Sequence, residues 1–406
     1  MAPGFDFDRL IDRRPTASNK WRKFDKDVLP LWVADMDFAS PEPVVPALRE
    51  RAEHGVYGYV FEEPEFFEVV ADRIQKRYGW RVGPEAVVLL PGVIAGLNMA
   101  ARVFAAPGDS LLEQVPVYPA HPALPEQYRP HPGRGPAGAP RRRPLRGGLG
   151  GVRARHPRPH PRLHPLQPAQ PHRPRLHPRG ADPDGGDLRA ARPLRSSPTR
   201  STATSSTRGS GTMPIASLAP EVAARTITLM SPSRPSTSPA SSVAIAVVPD
   251  AALREKFLAT KVDLVANPNV FGFAAALAAY RDGGPWLDAL LTYLEANRDY
   301  TMKYVRENFP GVVVYPPEGM YLAWLDFRSA GIPGNDPYTL FLEKARVALN
   351  DGPTFGPGGQ GFARLNFGCP RAMLTEGLDR MRDAFRAYRA ENVRAPGSVA
   401  ELRRAC

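Results

Sequence analysis

Two stretches of this sequence could bind a phosphate or a carboxylate group. In LLPGVIAGLNMA (89–100) a glycine-bearing turn precedes a helix, so the backbone N–H groups of Gly92, Val93 and Ile94 are available to an anion. In ARLNFGCPR (363–371) Arg364 stands among small and apolar neighbours, where a guanidinium needs an oxyanion partner. Each pattern also has a plain structural explanation: a turn that only joins a strand to a helix, and a salt bridge.

Two further stretches place tyrosines where they could contact a planar ligand. In PVYP (116–119) the ring of Tyr118 is held between prolines at the end of a strand, a position suited to stacking. In HGVYGYVF (54–61) Tyr57 and Tyr59 flank a flexible glycine. Packing in the core or within a loop is the alternative for both stretches.

The elements that would position these residues follow an α/β pattern. Residues 85–119 are predicted to form a strand, a glycine-containing turn, a helix, a Pro-Gly-Asp turn and a second strand. The remaining predictions are strands at 243–250, 312–327 (a pair) and 362–369, and helices at 64–78, 250–259, 285–308, 337–348 and 371–390.

Composition separates one segment from the rest of the chain. The 406 residues are 43% hydrophobic, enough for one large or two ordinary domains, and carry a net charge of +12. Residues 129–208 contain 18 arginines against three aspartates, and no Phe, Tyr, Trp, Ile or Met, so the remainder is net acidic. Ordering such a segment costs about 1–2 kcal/mol per residue in backbone entropy with almost no apolar burial to offset it. We therefore expect it to be disordered.

The compartment is indicated by the cysteines and by the first residues. Two cysteines, Cys369 and Cys406, cannot form a disulfide framework, and MAPGFDFDRLIDRR has acidic residues where a signal peptide has an apolar run. The longest apolar stretches, such as 271–280, are about half the ~20 residues that a membrane span needs. A cytoplasmic protein without a membrane segment is expected.

Five stretches together resemble one family of enzymes. They are FDFDRLIDRRPTASNKWRKFDKDVLPLWVADMDFASPEPVVPAL (5–48), HGVYGY (54–59), PGVIAGLNMAARVFAAPGDSLLEQVPVYP (91–119), MPIASLAPEVAARTITLMSPS (213–233) and GPGGQGFARLNFGCPRAML (356–374). They are similar to the MalY/PatB-type carbon–sulfur lyases. These are cystathionine β-lyase-like, pyridoxal-phosphate-dependent members of the class I/II aminotransferases. Outside residues 120–242 the resemblance covers nearly the whole chain.

The resemblance implies a fold of type I for these enzymes, an α/β fold with a mostly parallel central sheet and a smaller α+β domain. The large domain would span 46–284, and the small domain would combine 1–45 with 285–392, followed by a tail at 393–406. The central window of about 120–212 is expected to be disordered.

The resemblance also implies roles for individual residues. Arg364 would bind the α-carboxylate of a small cysteine-conjugate substrate, Tyr118 would stack on the cofactor ring, and Tyr59 would reach the phosphate of the neighbouring subunit in a homodimer. The residues that would hold the phosphate of pyridoxal 5'-phosphate are Gly92, Val93, Ile94, Ser231 and Ser233.

Three residues that the family uses are missing from the sequence. They are an asparagine on the ring oxygen, an aspartate on the ring nitrogen, and the lysine that forms the Schiff base, whose position is occupied by Arg234. The family's Lys-Thr-Phe-Asn-Ile-Pro-Gly-Leu-Lys, written in GC-rich codons and read one base out of register, gives RPSTSPAS, the sequence of 234–241. The same operation on the family's asparagine and aspartate motifs gives 166–178 and 197–209. The window is therefore interpreted as a lyase gene translated out of frame.

This interpretation predicts an impaired or inactive lyase with no retained catalytic residue. The family eliminates a thiol from the β-carbon of the substrate and leaves pyruvate and ammonia. An arginine cannot replace the lysine, because its guanidinium stays protonated up to a pKa above about 12.

Other functions stay open from the sequence. One is a class I/II aminotransferase, and another is a folded but non-catalytic partner protein. The arginine-rich segment could bind nucleic acid through phosphates, although it lacks aromatic residues for stacking. Six of the eight histidines lie in the same segment, but their irregular spacing argues against a metal site.

Overall fold

The computed structural model describes residues 4–105, 115–118, 213–231, 243–262 and 264–393, and residues 195–197 as backbone. Most of the window predicted to be disordered, the tail beyond 393, Ser233 and Arg234 lie outside these residues. Among the described residues, no helix is long and apolar enough to cross a membrane.

A four-stranded sheet forms the centre of the first half of the fold. Its strands are β2 (Val87–Leu90), β3 (Arg195–Ser197), β4 (Thr226–Met230) and β5 (Ala244–Val247), in the order β2-β5-β4-β3. Strand β5 runs antiparallel to both neighbours, and β3 is parallel to β4. Three of the four described strands therefore share one direction, but β5 lies between two of them, so two of the three described pairings are antiparallel and one is parallel.

Alternate side chains of this sheet enter two separate cores. Leu90 of β2 and Leu229 of β4 pack against helix α4 (Val93–Phe104) on one face. On the other face, Leu89 and Ile245 pack with residues of α3 (Pro64–Tyr78) and α7 (Val270–Asp282). The period of two along each strand decides which core a side chain joins.

A second sheet belongs to the C-terminal part of the chain. Strands β6 (Val313–Val314), β7 (Leu322–Asp326), β9 (Asn350–Asp351) and β10 (Phe362–Asn366) are antiparallel, in the order β6-β7-β10-β9. Helices α8 (Gly284–Asn308) and α10 (Arg371–Val393) share a core with this sheet, and so do Phe7, Leu31 and Phe38 from the beginning of the chain. The N-terminal segment thus packs against the C-terminal third of the chain.

Short elements complete the described chain. They are α1 (Asn19–Arg22), β1 (Leu29–Pro30), α2 (Val44–Glu53), α5 (Pro220–Ala223), α6 (Ala251–Ala259), α9 (Pro337–Leu340) and β8 (Val347–Ala348).

The helix predicted at 337–348 is wrong in its second half. Helix α9 ends at Leu340 and continues as a π turn to Ala345, and Arg346 then adopts a left-handed conformation with φ 53°. The next two residues form β8, which pairs in parallel with β1, Leu29 opposite Val347. A strand pairing with a distant segment overrides the local helical pattern.

A buried ionic network, which the sequence patterns did not indicate, holds the N-terminal segment together. The Lys20 ammonium is fully buried and lies 2.5 Å from Asp37 Oδ2, and it also donates to the Asp35 carbonyl at 2.7 Å. Arg13 donates to Asp37 Oδ1 at 2.9 Å and to Asp35 Oδ2 at 2.7 Å. Trp21 Nε1 also donates to Asp37. Every charge in the network is therefore paired inside the protein.

Candidate active site

The central sheet brings two of the predicted phosphate-binding segments together at one edge, the edge formed by the carboxyl ends of its strands. Strands β2 and β4 both run antiparallel to β5, so their carboxyl ends, which lead to Gly92 and Ser231, lie at the same edge. Strand β3 runs parallel to β4 and ends there too. In α/β folds ligands bind outside the carboxyl ends of the strands, so this edge is the candidate site.

The beginning of helix α4 offers an open anion site. Gly92 is the N-cap residue, and no side chain of the described chain caps the helix. A Cβ built at Gly92 would meet nothing within 4 Å, and Ile94 is half exposed. The first N–H groups of a helix have no partner inside it and carry the positive end of the helix dipole. The turn therefore fits an anionic group such as a phosphate.

Close packing beneath this turn fixes its position. A Cβ at Gly96 would lie 2.7 Å from Leu229 Cδ2 and 2.8 Å from Leu90 Cδ1, and both leucines are fully buried. Only a glycine lets the helix approach β2 and β4 this closely.

Gly96→Val is expected to lower the free energy of unfolding by about 1–3 kcal/mol, because two packed leucines must move. The measurement is denaturant unfolding followed by circular dichroism. Gly92→Ser is the matched control on the same helix: its Cβ enters open space and serine is a good N-cap, so its effect stays within about 0.5 kcal/mol. Equal losses in the two variants would contradict the close approach at Gly96.

Ser231 follows β4 at the same edge but directs its hydroxyl elsewhere. Its Oγ donates to the Val243 carbonyl at 2.7 Å, so the proton points toward the start of β5. To donate to a phosphate, this hydroxyl would have to give up the hydrogen bond to Val243.

Arg364 and the segment that carries Tyr118 both contact Phe355. The backbone N–H of Val117 donates to the Phe355 carbonyl at 2.7 Å, which anchors the segment carrying the half-exposed Tyr118. The Arg364 guanidinium lies over the Phe355 ring, 4.7 Å from its centre, and donates to Asn350 Oδ1 at 2.6 Å. The segment that carries the predicted stacking tyrosine and the predicted carboxylate-binding arginine thus both contact Phe355.

Three residues of this neighbourhood were missed by the sequence reasoning. Phe355 and Asn350 contact Arg364, as described above. Asn366 lies two residues beyond Arg364 on β10 and is fully buried. Its amide donates to the carbonyls of Val33 (2.6 Å) and Asp35, so it holds the 33–35 loop beside the strand that carries the arginine. A polar residue at i+2 in an otherwise apolar strand was the available signal.

Tyr59 is not brought to the site within this chain. Its side chain is completely exposed, whereas Tyr57 packs on Phe271 with ring centres 5.0 Å apart. Val56 and Phe61 beside it are also exposed. A role at the phosphate would need a second copy of the chain.

Cys369 does not belong to the reactive groups. It is fully buried, and burial raises the pKa of its thiol to about 12. It therefore stays protonated at neutral pH and is inert as a nucleophile.

Comparisons with known proteins assign this fold first to a class. The sequence model for aminotransferase class I and II matches residues 26–129. A pyridoxal-phosphate-bound candidate aminotransferase from Clostridium difficile 630 superposes with a TM-score of 0.82 at 27% identity, over 94% of this chain and all of that one. The fold is that of the pyridoxal-phosphate-dependent enzymes of fold type I.

The relatives narrow the class to a family. Cystathionine β-lyase PatB of Bacillus subtilis is 33% identical over 391 residues, which cover 93% of this chain and 99% of the relative. Protein MalY of Escherichia coli is 28% identical over 95% of this chain and its own full length. The chain belongs to the PatB/MalY-type family of pyridoxal-phosphate-dependent carbon–sulfur lyases, which confirms the family that its motifs indicated.

Proposed function

We propose that this chain is a cysteine-S-conjugate β-lyase by descent that retains its ligand-binding residues and has lost its catalytic ones. The observation that supports the proposal is the family match over 93% of the chain. The proposal adds to it the prediction, drawn from the resemblance, that Arg234 occupies the position of the family's lysine. The substrate class is cystathionine or a related cysteine conjugate, and the products of the intact enzyme are a thiol, pyruvate and ammonia.

The retained residues suit the two anionic groups that such an enzyme binds, the phosphate of the cofactor and the carboxylate of the substrate. The open turn of Gly92, Val93 and Ile94 would hold the cofactor phosphate, with Ser231 and Ser233 as further donors. Pyridoxal phosphate, when bound, supplies an aldehyde that takes up the substrate amine and a ring that accepts electrons released at the α-carbon.

Tyr118 would cover the face of the ring, and Arg364 would orient the substrate through its carboxylate. A guanidinium held by an aromatic face and an amide oxygen keeps a fixed fork for two carboxylate oxygens.

The proposed loss concerns the group that takes the α-proton. A general base must be able to lose its own proton near neutral pH, which the family's lysine does and an arginine does not. Arg234 would therefore leave a bound substrate unreacted.

A homodimer is part of the proposal. Tyr59, Phe61 and Val56 form an exposed aromatic and aliphatic loop, and isolated chains rarely leave such side chains in water together. In a dimer Tyr59 would reach the phosphate held by the partner subunit.

A non-catalytic binding protein is the second candidate, and the loss of the lysine at a preserved fold favours it. Transamination, the other chemistry of the class, also needs the lysine, so the proposed loss of the lysine would abolish transamination as well.

Reductive trapping tests the proposal directly. The full chain is incubated with pyridoxal phosphate, treated with borohydride and digested, and adducts are mapped by mass spectrometry. We expect saturable cofactor binding that Gly92→Ser weakens, and no lysine adduct above the level of pyridoxal-phosphate-treated unfolded chain. One dominant adduct on a particular lysine of the folded chain would refute the loss of the covalent anchor.

A further inference from the structure

The phenyl ring of Phe355 supports the guanidinium of Arg364. Arg364 Cζ lies 4.7 Å from the centre of the ring, and the buried ring packs edge-on against Trp324 at 5.2 Å between ring centres. A guanidinium over an aromatic face is attracted by the electrons of the ring, and more strongly where water is excluded. Arg364 also donates to Asn350 Oδ1 at 2.6 Å. A ring and an amide oxygen therefore restrict the orientation of the guanidinium together.

The turn that carries Phe355 is fixed by its backbone. A Cβ built on Gly352 or on Gly359 would collide with the carbonyl oxygen of the other residue, so the two ends of the turn pack backbone against backbone. Gly356, next to Phe355, has φ 92° and ψ −166°, a conformation that residues with a side chain avoid. The position of the ring is thus set by a tightly packed turn.

The same turn contacts the segment that carries Tyr118. The Phe355 carbonyl accepts the Val117 N–H at 2.7 Å, and Val115 Cγ1 lies 3.8 Å from the place of a Cβ on Gly356. These contacts involve the backbone of 355–356, whereas the contact with the arginine involves the phenyl ring. A change of the Phe355 side chain can therefore remove the support of the arginine and leave the segment 115–118 in place.

We propose that Phe355 is a positioning residue, which holds the Arg364 guanidinium in the orientation that receives the α-carboxylate of the substrate. This inference rests on the proposed function, from which it takes the role of Arg364. A guanidinium binds a carboxylate through two parallel hydrogen bonds only when its fork faces both oxygens. Support of the fork therefore acts on the carboxylate of a ligand and not on the rest of it. Phe355 determines how strongly the site prefers an amino acid over the corresponding amine.

A second phenyl ring on Trp324 offers a matched comparison. Phe362 stacks on Trp324 with ring centres 5.3 Å apart, and Arg328 Cζ lies 4.7 Å from the centre of the Phe362 ring. Arg328 pairs with Asp326 at 2.6 Å and has no assigned role in the candidate site. Phe355→Leu and Phe362→Leu therefore remove the same buried ring from one aromatic cluster, beneath two different arginines.

Isothermal titration calorimetry of the full chain, loaded with pyridoxal phosphate and freed of excess cofactor, measures this preference. The probes are S-methyl-L-cysteine and 2-(methylthio)ethylamine, which differ only in the carboxylate. We expect the chain to bind the amino acid about 10- to 100-fold more tightly than the amine. Phe355→Leu should reduce this preference about three- to tenfold and leave the Kd of pyridoxal phosphate within about twofold. Phe362→Leu should leave the preference within about twofold.

Arg364→Met separates this inference from the function on which it rests, and it should nearly abolish the preference. If Arg364→Met kept the preference of the unaltered chain, or if the unaltered chain had none, the proposed role of Arg364 would be wrong and the inference would fall with it. A preference lost in Arg364→Met but kept in Phe355→Leu would overturn the inference alone. An equal loss in Phe362→Leu, or an equal loss of cofactor affinity in Phe355→Leu, would also overturn it.

Discussion

This chain is expected to release pyruvate from cystathionine at least about 10,000-fold more slowly than a restored chain. In the restored chain the three segments interpreted as out of frame, 166–178, 197–209 and 234–241, carry the family's sequence. The covalent anchor and the general base are one lysine in the family, and removing a nucleophile or base of this kind costs several orders of magnitude. The measurement is pyruvate formation with saturating pyridoxal phosphate, for both chains at equal concentration.

A third chain isolates the contribution of position 234. It carries the restored segments but keeps Arg234, and its rate should stay close to that of the unaltered chain while it still binds the cofactor. If that chain turned over at the restored rate, the lysine would not be the missing element. Comparable rates for the unaltered and the restored chains would show that the shifted segments do not matter for the reaction.

Lys20→Met is expected to lower the free energy of unfolding by about 2–4 kcal/mol. The substitution keeps the volume of the buried stem but removes two charge-assisted hydrogen bonds, those to Asp37 and to the Asp35 carbonyl, and leaves Asp37 with Arg13 as its one cationic partner among the described residues. Guanidinium unfolding followed by tryptophan fluorescence gives the number, since Trp21 and Trp32 report on this region.

Two further variants serve as controls for the loss of stability in Lys20→Met. Lys76→Met removes an exposed ion pair with Asp72 on helix α3 and should cost no more than about 0.5 kcal/mol. The double variant Lys20→Met, Asp37→Leu should recover part of the loss, because no charge is then left unpaired at this pair. A single Lys20 variant as mild as the Lys76 variant would show that water reaches the network.

Sequence patterns predicted best those features that depend on residues close together in the sequence. Helix α3 matches its predicted bounds, 64–78, because its apolar face repeats every three to four residues and Gly79 ends it in a left-handed conformation with φ 63°. Arg364 stood out because a charged side chain in an apolar strand needs a partner.

The partners themselves could not be predicted. Asn350 reaches Arg364 through the pairing of β9 with β10, and Phe355 through a turn between them, so both contacts depend on the sheet rather than on spacing. The charged residues between 13 and 37 have the composition of an exposed segment. Only tertiary packing places Lys20 and Asp37 inside the protein.

The parallel pairing of Leu29 with Val347 has a consequence during synthesis. The apolar residues at the start of the chain leave the ribosome long before their partners do, roughly 15–60 seconds at ordinary elongation rates. Over that interval Phe7 and Leu31 have no native core to enter. Chaperones that bind nascent chains have this window to engage the N-terminal segment.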